Sequence, residues 1–213
     1  MTKPSRTLET GGCEKCHDTG YVVQGNVSIP CLECAPRRTA ALVQSYLAES
    51  RIPKRARSWQ FVGAQMVEHW ANVDGPCSFF LHGGNGSGKT GAAICALLHW
   101  IERLILCRYW FETDLLDAIN PAHDSTRSGP SAFETLQDVL SVPVLLLDDI
   151  GCRKASTWSQ QELSRIVDHR LGAELPIVFT SNFRISDLAE QVSIRCATRI
   201  AELVGSRVLQ MGN

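Results

Sequence analysis

The sequence predicts an α/β fold, a parallel β-sheet covered on both faces by helices, and three observations carry that prediction. From residue 78 onward, strand-like and helix-like segments alternate along the chain. Strand candidates such as 144–147 are continuously apolar, as strands buried on both faces must be. Residues 78–82 run directly into Gly83-Gly84-Asn85-Gly86-Ser87-Gly88-Lys89-Thr90, a match to G-x-x-x-x-G-K-[ST] flanked by a strand and a helical pattern.

Taken in order, residues 1–12 are polar and end on Gly11 and Gly12, and 13–34 are turn-rich around clustered cysteines, with a short strand at 21–23. Leu42, Val43, Tyr46 and Leu47 recur at helical spacing until Pro53 stops the pattern, so 35–58 reads as a linker helix. The body then follows as strand 78–82, helix 88–105, strand 107–112, helices 114–119 and 132–140, strand 143–148, helix 157–172, strand 176–181, helices 185–191 and 193–203, and strand 207–211. Pro121, Gly129 and Pro130 among polar residues make 120–131 a surface loop. The expected organisation is a cysteine module over 1–35, a basic linker helix over 36–58 and a nucleotide-binding domain over 59–213, with no internal repeat.

The chain has 213 residues, 44% of them hydrophobic, enough for one full core plus a small appendage. Its 21 Lys+Arg against 22 Asp+Glu leave a formal charge of −1, so any nucleic-acid partner must be met by a local patch. The longest apolar stretch, 92–111, is interrupted by Glu102 and Arg103, whereas a bilayer span needs roughly 20 nearly uncharged residues. No apolar segment follows the N-terminal charges as a secretory signal would require, and a cytoplasmic location with no membrane partner is expected.

Nine cysteines under reducing conditions need a reason other than disulfides. Cys77, Cys95, Cys107, Cys152 and Cys196 lie in apolar surroundings and read as small buried hydrophobes. Cys13, Cys16, Cys31 and Cys34 form C-x2-C, fourteen residues, C-x2-C. Two such turns can bring four thiolates to the corners of a tetrahedron around Zn²⁺, and metal binding supplies folding energy that so short a segment cannot draw from a core. Iron suits the same donors, but zinc is the cytosolic expectation. Cys13-Glu14-Lys15-Cys16-His17 also matches the C-x-x-C-H haem attachment motif, which would leave Cys31 and Cys34 unexplained.

The glycines of the loop let successive N–H groups turn inward on a β-phosphate. Gly83, Gly84, Asn85, Gly86, Ser87 and Gly88 are therefore the candidate phosphate cradle, Lys89 the group that reaches the β/γ-phosphates, and Thr90 a Mg²⁺ ligand. Opposite such a loop a carboxylate is needed, and the apolar run Val144-Leu145-Leu146-Leu147 ends in Asp148 and Asp149. Asp148 is placed on the Mg²⁺ water shell, and Asp149 as the group that orients or deprotonates an attacking water. A third strand, Ile177-Val178-Phe179-Thr180, ends in Ser181-Asn182, and Asn182 is the candidate sensor of nucleotide state.

With these pieces in order, the sequence resembles the DnaC/DnaI-type helicase loaders, AAA+ ATPases that include loader-like phage proteins. The resemblance covers 52–209 and is carried by Ile52-Pro53-Lys54-Arg55, GGNGSGKT, VLLLDDIG, FTSNF and Ile194-Arg195-Cys196-Ala197-Thr198-Arg199-Ile200. The last segment is similar to the family's arginine-finger box, which makes Arg199 the finger candidate and Arg195 the second choice. Such an arginine would act in trans on a neighbouring subunit's γ-phosphate. The paired cysteine turns, followed by Asp18-Thr19-Gly20-Tyr21, are similar to zinc modules that precede some loaders and are associated with helicase binding. The sequence ends at Gln210-Met211-Gly212-Asn213, short of the second-sensor arginine that members usually carry.

The resemblance implies an ATPase using ATP/ADP and Mg²⁺ with slow, regulatory turnover in a bacterial or phage-infected cell. Its implied partners are a hexameric replicative helicase, single-stranded DNA and further copies of itself in a nucleotide-dependent assembly. Two other readings stand beside it: an IstB-type transposition helper that assembles on DNA and recruits a transposase, and an inactive adaptor shaped by ATP. Between 37 and 57 six basic residues (Arg37, Arg38, Arg51, Lys54, Arg55, Arg57) face a single Glu49. With Trp59 and Phe61 close by, this segment could touch phosphates or stack a base, although a solvated linker with its aromatics in the core reads equally well.

Overall fold

The computed structural model describes residues 13–17, 19–24, 27–33, 35–73, 75–122, 129–153 and 155–212. They form two compact units divided between Ser45 and Tyr46.

The first unit is built on turns. The Cys13 carbonyl accepts from His17 N–H at 2.8 Å, and strands β1 (Tyr21–Gln24) and β2 (Val27–Pro30) then pair antiparallel with Val22 opposite Ile29. Cys31 N–H donates to the Gly20 carbonyl at 2.9 Å, closing the hairpin and returning the second cysteine turn to the first. The strand β2 is not anticipated from sequence, because the alternation Val27-Ser28-Ile29 before Pro30 is too short to mark a strand.

Helix α1 (Ala35–Glu49) is shorter than the linker helix expected over 35–58. Pro53 disfavours helical backbone at Ile52, but the helix stops sooner. Ser50 N–H closes the last turn on the Tyr46 carbonyl, and its hydroxyl bonds the Leu47 carbonyl while accepting Ile52 N–H. Arg51 then turns left-handed at φ 64°, and a single 3₁₀ turn follows at Lys54–Ala56.

In the second unit helix α2 (Gln65–Val73) precedes β3 (Phe79–His82), α3 (Lys89–Glu102) and β4 (Cys107–Phe111). Then come α4 (Glu112–Ile119), α5 (Ala132–Ser141), β5 (Val144–Asp148), α6 (Thr157–Gly172), β6 (Ile177–Ser181), α7 (Ile185–Leu188), α8 (Ile194–Val204) and β7 (Val208–Gln210). Helix α2 escapes the sequence pattern because its buried stripe is only Val67 and Ala71, with Met66 and Val73 exposed. Capping fixes other helix starts: Ser131 and Glu134 form a reciprocal capping box on α5, and Ser156 accepts Ser159 N–H on α6.

The five strands pair in parallel in the order β4-β5-β6-β3-β7. Every residue of β5 and β6 is buried, which accounts for the unbroken apolar runs 144–147 and 177–179 that precede their polar ends. One face, with Phe80, Trp110, Leu145, Leu147 and Phe179, belongs to a core shared with α4, α5, α6 and α8. On the other, Phe79 stacks against Trp70 of α2 and Trp100 of α3. Because β6 lies between β3 and β5, the carboxyl ends of all three strands meet at the switch in strand order, where α/β sheets bind ligands. Among the described residues no helix is long and apolar enough to cross a membrane.

Candidate nucleotide-binding site

Beyond His82 the chain turns through Gly83, Gly86 and Gly88, whose φ values of 147°, 76° and 88° suit glycine. Gly83 has a second constraint, since a Cβ there would collide with the Met211 carbonyl oxygen. Met211 N–H donates to the His82 carbonyl at 2.7 Å, so the residue after β7 holds the last residue of β3, directly before the loop. Gly88 caps α3 without a side-chain acceptor, leaving the first-turn N–H groups as donors for an anion.

Lys89 is 7% exposed, and its ammonium donates to the carbonyls of Gly83 (2.9 Å) and Gly84 (2.8 Å) and to Asn182 Oδ1 (3.0 Å). All three acceptors are neutral, so the positive charge is held but not neutralised. Burial lowers the Lys89 pKa, opposed by the charges of Asp149 and Asp148. A buried cation beside open helix N–H groups is a fit for a polyphosphate.

Asp148 is 3% exposed and accepts from three elements. Thr90 Oγ1 donates to Oδ1 at 2.8 Å, Thr180 Oγ1 to the same oxygen at 2.5 Å, and Tyr109 Oη to Oδ2 at 2.9 Å. A hydroxyl and a carboxylate joined in this way are hard oxygen donors of the kind Mg²⁺ takes. Asp149 N–H donates to Thr180 Oγ1 at 2.8 Å, and the residue sits at φ 55°, a left-handed conformation that turns its side chain away from the strand. Burial first, then Asp148, raises the Asp149 carboxyl, while Lys89 lowers it. Asn182 Nδ2 donates to Asp149 Oδ1 at 3.2 Å, so Asn182 joins Lys89 to Asp149. Lys89, Thr90, Asp148, Asp149 and Asn182, singled out from sequence, are thus one hydrogen-bonded group.

Three members were not read from the sequence. Thr180 and Tyr109 lie on the same sheet face as Asp148, a placement that needs strand register as well as alternation. Burial, then the charge and hydrogen bond of Asp148, pushes the Tyr109 phenol up, which keeps it a donor. Glu112, 2% exposed, accepts Gly151 N–H at 2.7 Å and braces the loop after Asp149. Burial pushes its carboxyl up to about 7.

The finger candidates are engaged elsewhere. Arg195 meets Asp168 of α6 at 2.6 Å, and Arg199 meets Asp168 at 3.2 Å and Glu202 at 2.6 Å. Of the basic run, Arg51 stacks over Trp110 at 3.5 Å and Arg57 donates to the Ile52 carbonyl, so both have partners within the fold. Trp59 is half-exposed and packs beside Gly91 in the first turns of α3.

In the first unit Cys13, Cys16 and Cys31 bring their sulfurs within 4.8 Å of one another, with Cys13 and Cys31 3.7 Å apart. A tetrahedron with Zn–S of about 2.3 Å has an edge of roughly 3.8 Å, so the cluster fits thiolate-bound zinc. Cys34 lies outside the described residues. Cys77, Cys95, Cys107 and Cys196 are buried as expected, and Cys152 is half-buried beside Glu112.

A family model of IstB-like ATP binding proteins matches residues 59–195. The chain belongs to that family. It is 31% identical over 78 residues to the replicative helicase loader DnaI of Bacillus subtilis, covering 36% of this chain and 25% of that protein. It is 27% identical over 126 residues to the replicative helicase loader DnaC of Escherichia coli, covering 58% and 49%. The chain thus spans half or less of the curated relatives it matches. A crystal structure of the DnaC helicase loader superposes with a TM-score of 0.63 at 21% identity, over 75% of this chain and all of that one. These matches converge on the DnaC/DnaI/IstB family, and the sheet with its covering helices is the AAA+ P-loop fold.

Proposed function

We propose that the protein is an ATP-dependent helicase loader that binds a hexameric replicative helicase and delivers it to single-stranded DNA. The observation that carries the nucleotide part is the buried, un-neutralised Lys89 ammonium joined through Asn182 to Asp149. The N–H groups of 83–88 and the Lys89 ammonium would hold the phosphates of ATP or ADP, and Thr90 and Asp148 would hold Mg²⁺. When bound, magnesium supplies charge neutralisation to the phosphate oxygens. Asp149 orients the attacking water and takes its proton, its raised carboxyl making it a better base, and Asn182 holds that water in line. Arg199, or Arg195 in its place, would be offered to the site of a second copy, giving a nucleotide-dependent assembly. Zinc on Cys13, Cys16, Cys31 and Cys34 would hold the first unit in shape for the helicase. The setting is the cytoplasm of a bacterial or phage-infected cell.

Support for the partner comes from the relatives, both loaders by name. The family match itself favours a second reading, a transposition helper of the IstB type that assembles on duplex DNA. The deciding experiment is native mass determination of the full chain with its cognate replicative helicase, with and without ATP·Mg²⁺, beside a variant lacking residues 1–35. A complex lost with the first unit supports loading. No complex in any nucleotide state, with duplex DNA preferred over single strands, overturns it in favour of the helper.

A further inference from the structure

We propose that Tyr109 is a positioning residue for the magnesium-binding carboxylate, its hydroxyl fixing Asp148 Oδ2 so that Oδ1 is presented to the metal with Thr90. The inference rests on the nucleotide-site reading above. An aspartate carboxylate rotates readily about its last torsion, because sp³–sp² wells are broad. Thr90 and Thr180 both hold Oδ1, and a carboxylate held at one oxygen still pivots about it. Tyr109 supplies the second point, and among the described residues it is the one partner of Oδ2. Two anchored oxygens define the carboxylate plane, and Mg²⁺ is strict about octahedral geometry.

The reach follows from register. Tyr109 is paired with Leu146, two residues before Asp148 on the same sheet face, and a tyrosine is long enough to span that diagonal where an aliphatic side chain is not. The backbone under it is also fixed, since Tyr109 N–H donates to the Ser50 carbonyl at 2.8 Å across the edge of β4. The support for Asp148 therefore comes from both neighbouring strands and from the helix after the loop. Tyr109 also lines a cavity of about 540 Å³ with Arg51, Pro53 and Asp114. Replacing Tyr109 by phenylalanine keeps the ring and subtracts only the hydroxyl.

The test is titration of the full chain with a fluorescent ADP at rising Mg²⁺, comparing wild type with Tyr109→Phe. The expected result is a half-saturating Mg²⁺ concentration raised roughly ten- to hundredfold, the effect of one hydrogen bond to a charged metal ligand, with affinity in EDTA unchanged. In an Asp148→Asn background the same substitution should add nothing, since the oxygen it holds no longer carries the charge. An unaltered Mg²⁺ dependence overturns the inference, as does an equal loss of affinity in EDTA, which would make Tyr109 merely structural. Wild type that binds no nucleotide overturns the underlying reading as well, so the two failures are distinguishable.

Discussion

The two units reach order by different physics. In the second, β5 and β6 are buried along their whole length and the core spreads over both sheet faces, so hydrophobic burial is the main source of stability. Among the described residues of the first, the buried side chains of the cysteine turns are Cys16 and Cys31, and beside them are a hairpin of two four-residue strands and a few turn hydrogen bonds. A two-stranded hairpin of that size is marginal in water. One unit is held by packing, and the other, on the proposed zinc site, would be held by its metal, so each should fail under a treatment the other survives.

The largest expected effect breaks the first unit alone. Stripping metal with a strong chelator, or changing Cys16 and Cys31 to serine, should unfold the cysteine turns and the hairpin, because a structural zinc site contributes its folding energy outright. Amide dispersion in two-dimensional NMR would show β1 and β2 collapsing while the resonances of the sheet stay in place. Simultaneous melting of the sheet would mean that the second unit is not self-sufficient.

Next in size is Arg170, a full charge inside the packed unit. It is 0% exposed and donates to the carbonyls of Val139, Val142, Pro143 and Pro176, tying the end of α5 to the starts of β5 and β6. Burial brings its pKa down to about 10. Arg170→Met strands these carbonyls and should cost about 3–5 kcal/mol, read from urea unfolding of the second unit. A cost under about 1 kcal/mol would show that water or local adjustment satisfies the carbonyls.

Glu112 sharpens the comparison through pH. Its folded-state carboxyl titrates at about 7 against an ordinary value of 4.5, so the native state holds the proton more tightly than the unfolded chain. Its contribution is therefore complete below about pH 4.5 and lost as pH rises to 7, a fall of roughly 3 kcal/mol. Glu112→Gln keeps an acceptor for Gly151 N–H and should flatten that slope in the difference between wild-type and variant stability curves. An unchanged slope would mean that Glu112 is ionised in the native state throughout.

Legibility in the sequence follows the same divide between local and long-range information. The glycine loop, the apolar strand before Asp148 and the strand before Asn182 are contiguous patterns, and the structure joins their polar ends in one network. Tyr109 and Thr180 reach Asp148 only through strand order and register, which no window of one chain encodes. In the sequence Pro53 is the visible stop for the linker helix, whereas its end in the structure depends on the buried Ser50 hydroxyl and on Arg51 stacking on Trp110. Helix α2 is not legible in the sequence because tertiary contact, Trp70 on Phe79, supplies what its weak stripe does not.

The smallest expected effect concerns a pair of exposed arginines, and it separates held charge from spare charge. Arg195 and Arg199 share Asp168, as Arg170 shares its carbonyls, but the side chains of Arg195 and Arg199 are 72% and 42% exposed. Surface pairs gain little over water and are screened by salt. Asp168→Asn should therefore move the calorimetric midpoint of the second unit by no more than about 2 °C, and the difference should vanish at high salt. A shift as large as that of Arg170→Met would make these arginines part of the scaffold, and a trans role on a second copy would then require breaking it. A shift near zero leaves the Arg195 guanidinium held so lightly that a phosphate offered by another subunit can take it from Asp168, whereas Arg199 would still have to leave Glu202.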